Sequence, residues 1–138
     1  MRVFYFCFIV AALAGLGGMG LGIFMGLAHD FTLAPVHAHV NLLGWVTLTL
    51  YGLYHRGAPK SDGSLAWVQV GTAALGFAML TGGMAFLIGA GLDAFLPVAI
   101  VGSILCVASM AMFIAILIRD ALLISGARDL AVAVGAAS

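Results

Sequence analysis

The residues of this chain most able to do chemistry are histidines. Three of the four, His29, His37 and His39, fall within eleven positions of one another, and the fourth, His55, follows at the end of the same apolar run. Neutral imidazole is a good axial ligand for haem iron and a common copper ligand, and an ionisable side chain at membrane depth is costly enough to be a functional-site expectation by default. His37 and His39 are two residues apart. On a regular α-helix that step turns about 200°, so the rings point to nearly opposite sides and serve two sites rather than chelate one metal. His55 follows His37 by five α-helical turns, on the same face and about 27 Å away, too far for a shared site. Met25 and Met84 lie in the same half of the chain's spans as the first three histidines. His29, Met25 and Met84 are therefore weaker candidate metal ligands beside His37 and His39, and a His/Met set also suits copper. Asn41 and Trp45 can hydrogen-bond a haem propionate or water, and Gly44 leaves room for a flat ring.

These side chains sit in a membrane setting. Of 138 residues, 64% are hydrophobic and 7% charged, and mean hydropathy is +1.24. A soluble domain is nearer half apolar and a quarter charged. Five basic and five acidic residues cancel, leaving no field for nucleic acid. There is no Glu anywhere, which removes most carboxylate-pair and zincin-type catalysts.

Charge-free runs at 3–27, 36–54, 65–90 and 94–118 are each near the roughly 20 residues a helix needs to cross hydrocarbon. They do not alternate, so helix is expected rather than barrel strand. The fold class is all-α integral membrane: one domain over 1–138, a four-transmembrane-helix bundle. Short connections at 28–35, 55–64 and 91–93 make consecutive spans antiparallel neighbours, and Pro35 suits a first helical turn. Arg2, Arg56, Lys60, Arg119 and Arg128 all fall on one side, with Asp30 and Asp93 on the other. Both termini are then cytoplasmic in a cell (inner) membrane. The apolar tail beyond 120 extends the fourth helix or lies at the interface.

Small residues recur every four positions at Ala14, Gly18, Gly22 and Gly26, and again at Ala74, Ala78 and Gly82, which predicts close helix packing on those faces. Gly15, Gly17 and Gly20 satisfy G-x-G-x-x-G, but inside a span no phosphate-binding turn is available. Thr47, Thr49, Gln69, Thr72 and Thr81 are expected to return hydrogen bonds to nearby carbonyls, and Tyr54 to anchor at the interface. Cys7 and Cys106 lie at different depths and predict no disulfide.

Residues 35–56, PVHAHVNLLGWVTLTLYGLYHR, resemble the histidine-bearing second span of catalytic subunit I in the heme-copper oxidase and nitric oxide reductase superfamily. His39-Val40-Asn41-Leu42-Leu43 is similar to the nitric oxide reductase second span, where the His is an axial ligand of the low-spin haem near the outer side. His37-Ala38-His39 also resembles the H-x-H of the tenth span, whose two rings reach two haems. The resemblance implies a fold equal to one third of heme-copper oxidase subunit I, haem b held first by His39 and second by His37, and electron transfer or diatomic-gas binding. It implies a homo-oligomer, a trimer rather than a dimer, that rebuilds the three four-span groups, with respiratory-chain proteins as partners. If enzymatic, the chain is an oxidoreductase of oxidase or nitric oxide reductase type that one copy does not complete. Departures are plain: there is no His-His pair for copper and no Glu or intramembrane Asp to carry protons, which argues against proton pumping. Outer-face copper binding, or a non-catalytic accessory or assembly subunit of a respiratory complex, are the alternatives.

Overall fold

The computed structural model describes residues 2–57 and 63–136, the last ten as backbone only. Lys60 and Asp62 lie outside the described residues, as do the side chains of Arg128 and Asp129. Apart from short connections, the described residues are helical, with no strand among them.

Helix α1 spans Val3–Ala28. The second helical stretch begins with α2, Ala34–His39, with Pro35 in its first turn. It winds on without a break as a π-helix over Val40–Thr47 and then as α3, Leu48–Gly57. Helix α4, Ser64–Met84, ends in a short π segment, Ala85–Gly89. After a turn with Gly91 at φ 65° and a 3-10 turn at Asp93–Phe95, α5 runs over Leu96–Ala136. The fourth helix thus passes the expected end at 118, and the tail extends it. Helices Val3–Ala28, Ser64–Gly89 and Asp93–Gly126 are long and apolar enough to cross a membrane. Only 17–28% of their most apolar windows is buried inside the fold, so most of the apolar surface is left for lipid or other chains.

Close approaches at glycine fix the pairing. On α1, a Cβ added at Gly15, Gly18, Gly22 would meet Trp45, Asn41 and His37 in turn, and one at Gly52 would meet Phe8 and Cys7. Rising numbers on α1 meet falling numbers on the second stretch, so the two run antiparallel. Similarly a Cβ at Gly76 would lie 2.8 Å from Cys106 N, and one at Gly83 2.7 Å from Ala99 N, which makes α4 and α5 an antiparallel pair. Lipid offers no hydrophobic gain for joining helices, so contact depends on small residues that let backbones touch.

The face expected on α1 holds at Ala14, Gly18 and Gly22 but not at Gly26, which has nothing within 4 Å. The face expected on α4 is corrected. Ala78 is exposed and Gly82 meets nothing, while Val70, Ala73, Gly76, Leu80 and Gly83 are buried. A helix apolar all round carries several small-residue stripes, and the partner's shape chooses among them. Gly102 of α5 is the tightest such point, since a Cβ there would strike Leu80 N and come within 2.8 Å of Leu80 Cα. Gly102→Val is expected to cost about 1–3 kcal/mol or more through overpacking, whereas Gly20→Ala, in open space, leaves the unfolding midpoint in detergent unchanged. Equal midpoints for both variants would contradict the pairing.

One core cluster, of Val3, Cys7, Ala11, Leu48, Tyr51, Ala66, Val70 and Ala73, joins α1, α3 and α4. Both cysteines are free, as expected.

Candidate functional site

Histidine-bearing residues 37–41 begin where α2 passes into the π segment. The His37 ring lies in the small-residue groove of α1. Its Nδ1 donates to the Gly18 carbonyl at 2.9 Å, and its Cε1 lies where a Gly22 Cβ would be only 3.0 Å away. Asn41 Nδ2 donates to the His37 carbonyl at 2.9 Å and lies 3.3 Å from His37 Nε2. Asn41 is therefore spent on holding His37, and the Gly18 position admits no side chain because the amide fills it.

His39 turns the other way. Its Nδ1 donates to the Pro35 carbonyl one turn back at 2.7 Å, which fixes the tautomer and leaves the Nε2 lone pair unused. That arrangement is the one that suits a histidine for metal, with the second nitrogen oriented by a carbonyl. The ring is partly exposed, and Leu42 and Val46 in the π segment that follows are 60% and 41% exposed. Opposed rings were expected from the two-residue spacing, and the geometry has them: one in the α1 groove, one outward.

Trp45 covers Gly15 of α1 yet is half exposed. Gly44 is buried, where a Cβ would come within 2.7 Å of Ala14 Cβ, so its smallness serves helix packing. His29 caps α1 in the left-handed region at φ 51° and is exposed. Next to it, the Asp30 carboxylate accepts from the Thr32 hydroxyl at 2.6 Å and N–H at 2.9 Å. These bonds hold Asp30 below the usual carboxylate range. The turn is therefore supported at neutral pH and loses that support only as pH falls through the lowered value. Met25 is buried and Met84 partly so. No three His, Cys, Asp or Glu side chains among the described residues are grouped to hold a metal ion. His29, His37 and His39 do not form one chelating set.

No protein-family model matches the chain, and no curated protein or solved structure is significantly similar to it.

A second polar assembly, not foreseen from the sequence, lies at the other end of the bundle. His55, 1% exposed, bonds through Nε2 to Gln69 Oε1 at 3.1 Å. Gln69 Nε2 donates to Ser109 Oγ, and the Ser109 hydroxyl donates to the Gln69 carbonyl, both at 3.1 Å. Gln69 does not simply return to its own helix as expected; it ties α3, α4 and α5 together. Thr47, Thr49 and Thr81 do return to carbonyls of their own helical stretches, Leu42, Trp45 and Phe77. Tyr54, expected as an interfacial anchor, donates to Asp120 Oδ2 at 2.9 Å, and Arg119 pairs with Asp120 Oδ1 at 2.7 Å. Asp120 is buried within the apolar helix Asp93–Gly126. The fourth helix continues past 118, so Asp120 is held against the bundle by Tyr54 and Arg119 instead of standing free beyond the helix end. A cavity of about 210 Å³ opens beside His55, Ser64, Arg119 and Asp120.

The expectation that His37 and His55 share a face is corrected as well. His37 meets α1 and His55 meets Gln69 of α4. Between them lie the eight π-wound residues Val40–Thr47, whose i→i+5 winding takes more residues per turn and shifts everything that follows. The Thr47 hydroxyl, bonded to the Leu42 carbonyl five residues back at 2.8 Å, follows that wider turn.

Proposed function

We propose that the chain is a four-span membrane protein that binds haem b, with His39 as first axial ligand and His37 as second choice. The observation that carries this reading is the His39 imidazole, whose Nδ1 is held by the Pro35 carbonyl while Nε2 is left on an apolar, outward side. The donor set fits the group. Nitrogen of a neutral imidazole ligates haem iron, the carbonyl partner keeps the ring in the ligating tautomer, and the exposed Leu42 and Val46 of the following segment would offer apolar surface to a flat macrocycle. A π segment starting at the next residue supports the reading too, since such turns are frequent at functional sites.

When bound, haem supplies one-electron transfer or reversible binding of a diatomic gas. The chain's own part is orientation and exclusion of water. Pro35 O orients His39, Asn41 and Gly18 O hold His37 away from the outward side, and the half-exposed Trp45 indole N–H is available to a propionate or to water. A second copy would close the far side of His39, which is the part a homo-oligomer has in this reading. The trimer comes from the resemblance to one third of heme-copper oxidase subunit I. Residues 34–57 are the second of the four proposed spans, and Arg2, Arg56 and Arg119 at one end of the bundle support a cytoplasmic position for that end. Metal and cofactor analysis of the purified protein tests the reading. Iron with extractable haem b is expected, and copper without haem would overturn it in favour of an outer-face copper site.

A further inference from the structure

The cavity of about 210 Å³ lies where the first turn of α4 meets the last turn of α3 and Arg119 and Asp120 of α5. Ser64, Leu65 and Ala66, the first three residues of α4, line it. Their main-chain N–H groups precede the first intrahelical bond, from Trp67 N–H to Gly63 O, so no carbonyl of the helix accepts from them. No described side chain caps that end. His55 lines the cavity from α3 and is 1% exposed. Gln69 Nε2 donates to Ser109, so Gln69 Oε1 is an acceptor and His55 Nε2 carries the hydrogen. The other ring nitrogen, Nδ1, is then a lone pair with no hydrogen-bond partner among the described residues. No enclosed side-chain nitrogen or oxygen among them is unpaired, so Nδ1 keeps open surface, and the open space beside His55 is this cavity.

We infer that this cavity binds a phosphate group that still carries a P–OH, either free hydrogen phosphate or a monoester. The N–H groups and positive end of the 21-residue helix α4 receive the charged oxygens. Arg119, held in place by its bond to Asp120, adds a positive charge at the rim. His55 Nδ1 accepts the P–OH hydrogen. Donors alone take any oxyanion, whereas a buried acceptor among them selects an oxyanion with a hydrogen to give, since the acceptor is otherwise left unpaired. The Asp120 carboxylate works in the same direction. Its Oδ1 accepts from Arg119 and its Oδ2 from Tyr54, which keeps it charged beside the cavity. Sulfate, which is fully ionised at neutral pH, sets a lone pair against Nδ1 and two negative charges beside Asp120, and is refused. The site is at the opposite end of the bundle from His39 and stands independently of the haem reading.

The test is calorimetric titration of the delipidated full-length protein in detergent at neutral pH, with sodium phosphate, sodium sulfate and phosphatidic acid as separate titrants. Phosphate or phosphatidic acid is expected to bind about tenfold or more tighter than sulfate, which leaves the acceptor unpaired. The tighter of the two names the source, the cytoplasm or the membrane. Ser64→Pro removes one donor and leaves the helix intact, because proline suits the first helical position and Gly63, at φ -73° and ψ 161°, already has the backbone that precedes a proline. This change should weaken phosphate binding about fivefold or more. His55→Phe removes the acceptor and should abolish the preference over sulfate. Helical circular dichroism checks that both variants fold, and the exposed Ser64 position keeps the test decisive if His55→Phe does not. Equal affinity for phosphate and sulfate, no binding of phosphate or phosphatidic acid, or an unchanged affinity in Ser64→Pro would each overturn the assignment, as would selectivity kept in a folded His55→Phe protein.

Discussion

His39→Ala is expected to abolish haem binding, with loss of the Soret band from the purified protein, while α-helical content is unchanged. The side chain makes one hydrogen bond, to Pro35 O, and stands partly exposed outside the core, so its removal costs little folding energy. His37→Ala separates ligation from packing. His37 is bonded to Gly18 O and Asn41, so its loss leaves Gly18 O without that partner and a gap in the α1 groove. A lowered unfolding midpoint with haem retained is the expected result. A His39→Ala protein with an unaltered spectrum would remove His39 as ligand. Loss of haem from His37→Ala alone would exchange the two roles.

The second large effect is at Gln69. Gln69→Leu strands His55 Nε2 and removes the donor to Ser109 Oγ within a buried cluster, while the Ser109 hydroxyl keeps its bond to the main-chain carbonyl of residue 69. An unpaired buried polar group costs about 1–3 kcal/mol, whereas replacing all partners by apolar groups of similar shape is nearly neutral. Gln69→Leu should therefore lower the unfolding midpoint in detergent markedly, and the combination His55→Phe, Gln69→Leu, Ser109→Ala should recover most of the loss. If the single change leaves the midpoint where it was, the three residues do not hold α3, α4 and α5 together.

Much of this architecture is legible in the sequence because hydrophobicity and length are local properties. Apolar runs mark the helices, Pro35 marks the start of the second stretch, and the opposed directions of His37 and His39 follow from their spacing. What the sequence hides depends on partners far along the chain. Gln69 meets Ser109 forty residues away; the one available signal was a lone glutamine inside an apolar run near a terminal histidine. The π winding over Val40–Thr47 breaks the face relation between His37 and His55, and an α-helical projection has no means of showing it. On α4 the stripe Ala74, Ala78, Gly82 looked as smooth as the face containing Gly76 and Gly83, and only the neighbouring Gly102 and Ala99 backbone decides between them. Asp120 reads as a lone charge at a helix end until Tyr54 is seen to reach it from α3.

The most direct test of the central claim is the optical spectrum of the purified wild-type protein, expressed with ample haem, oxidised and then reduced with dithionite. Haem held by His39 predicts a Soret band that shifts on reduction, with resolved α and β bands in the reduced state. A protein that folds, remains helical and shows no Soret band in either state would contradict the account.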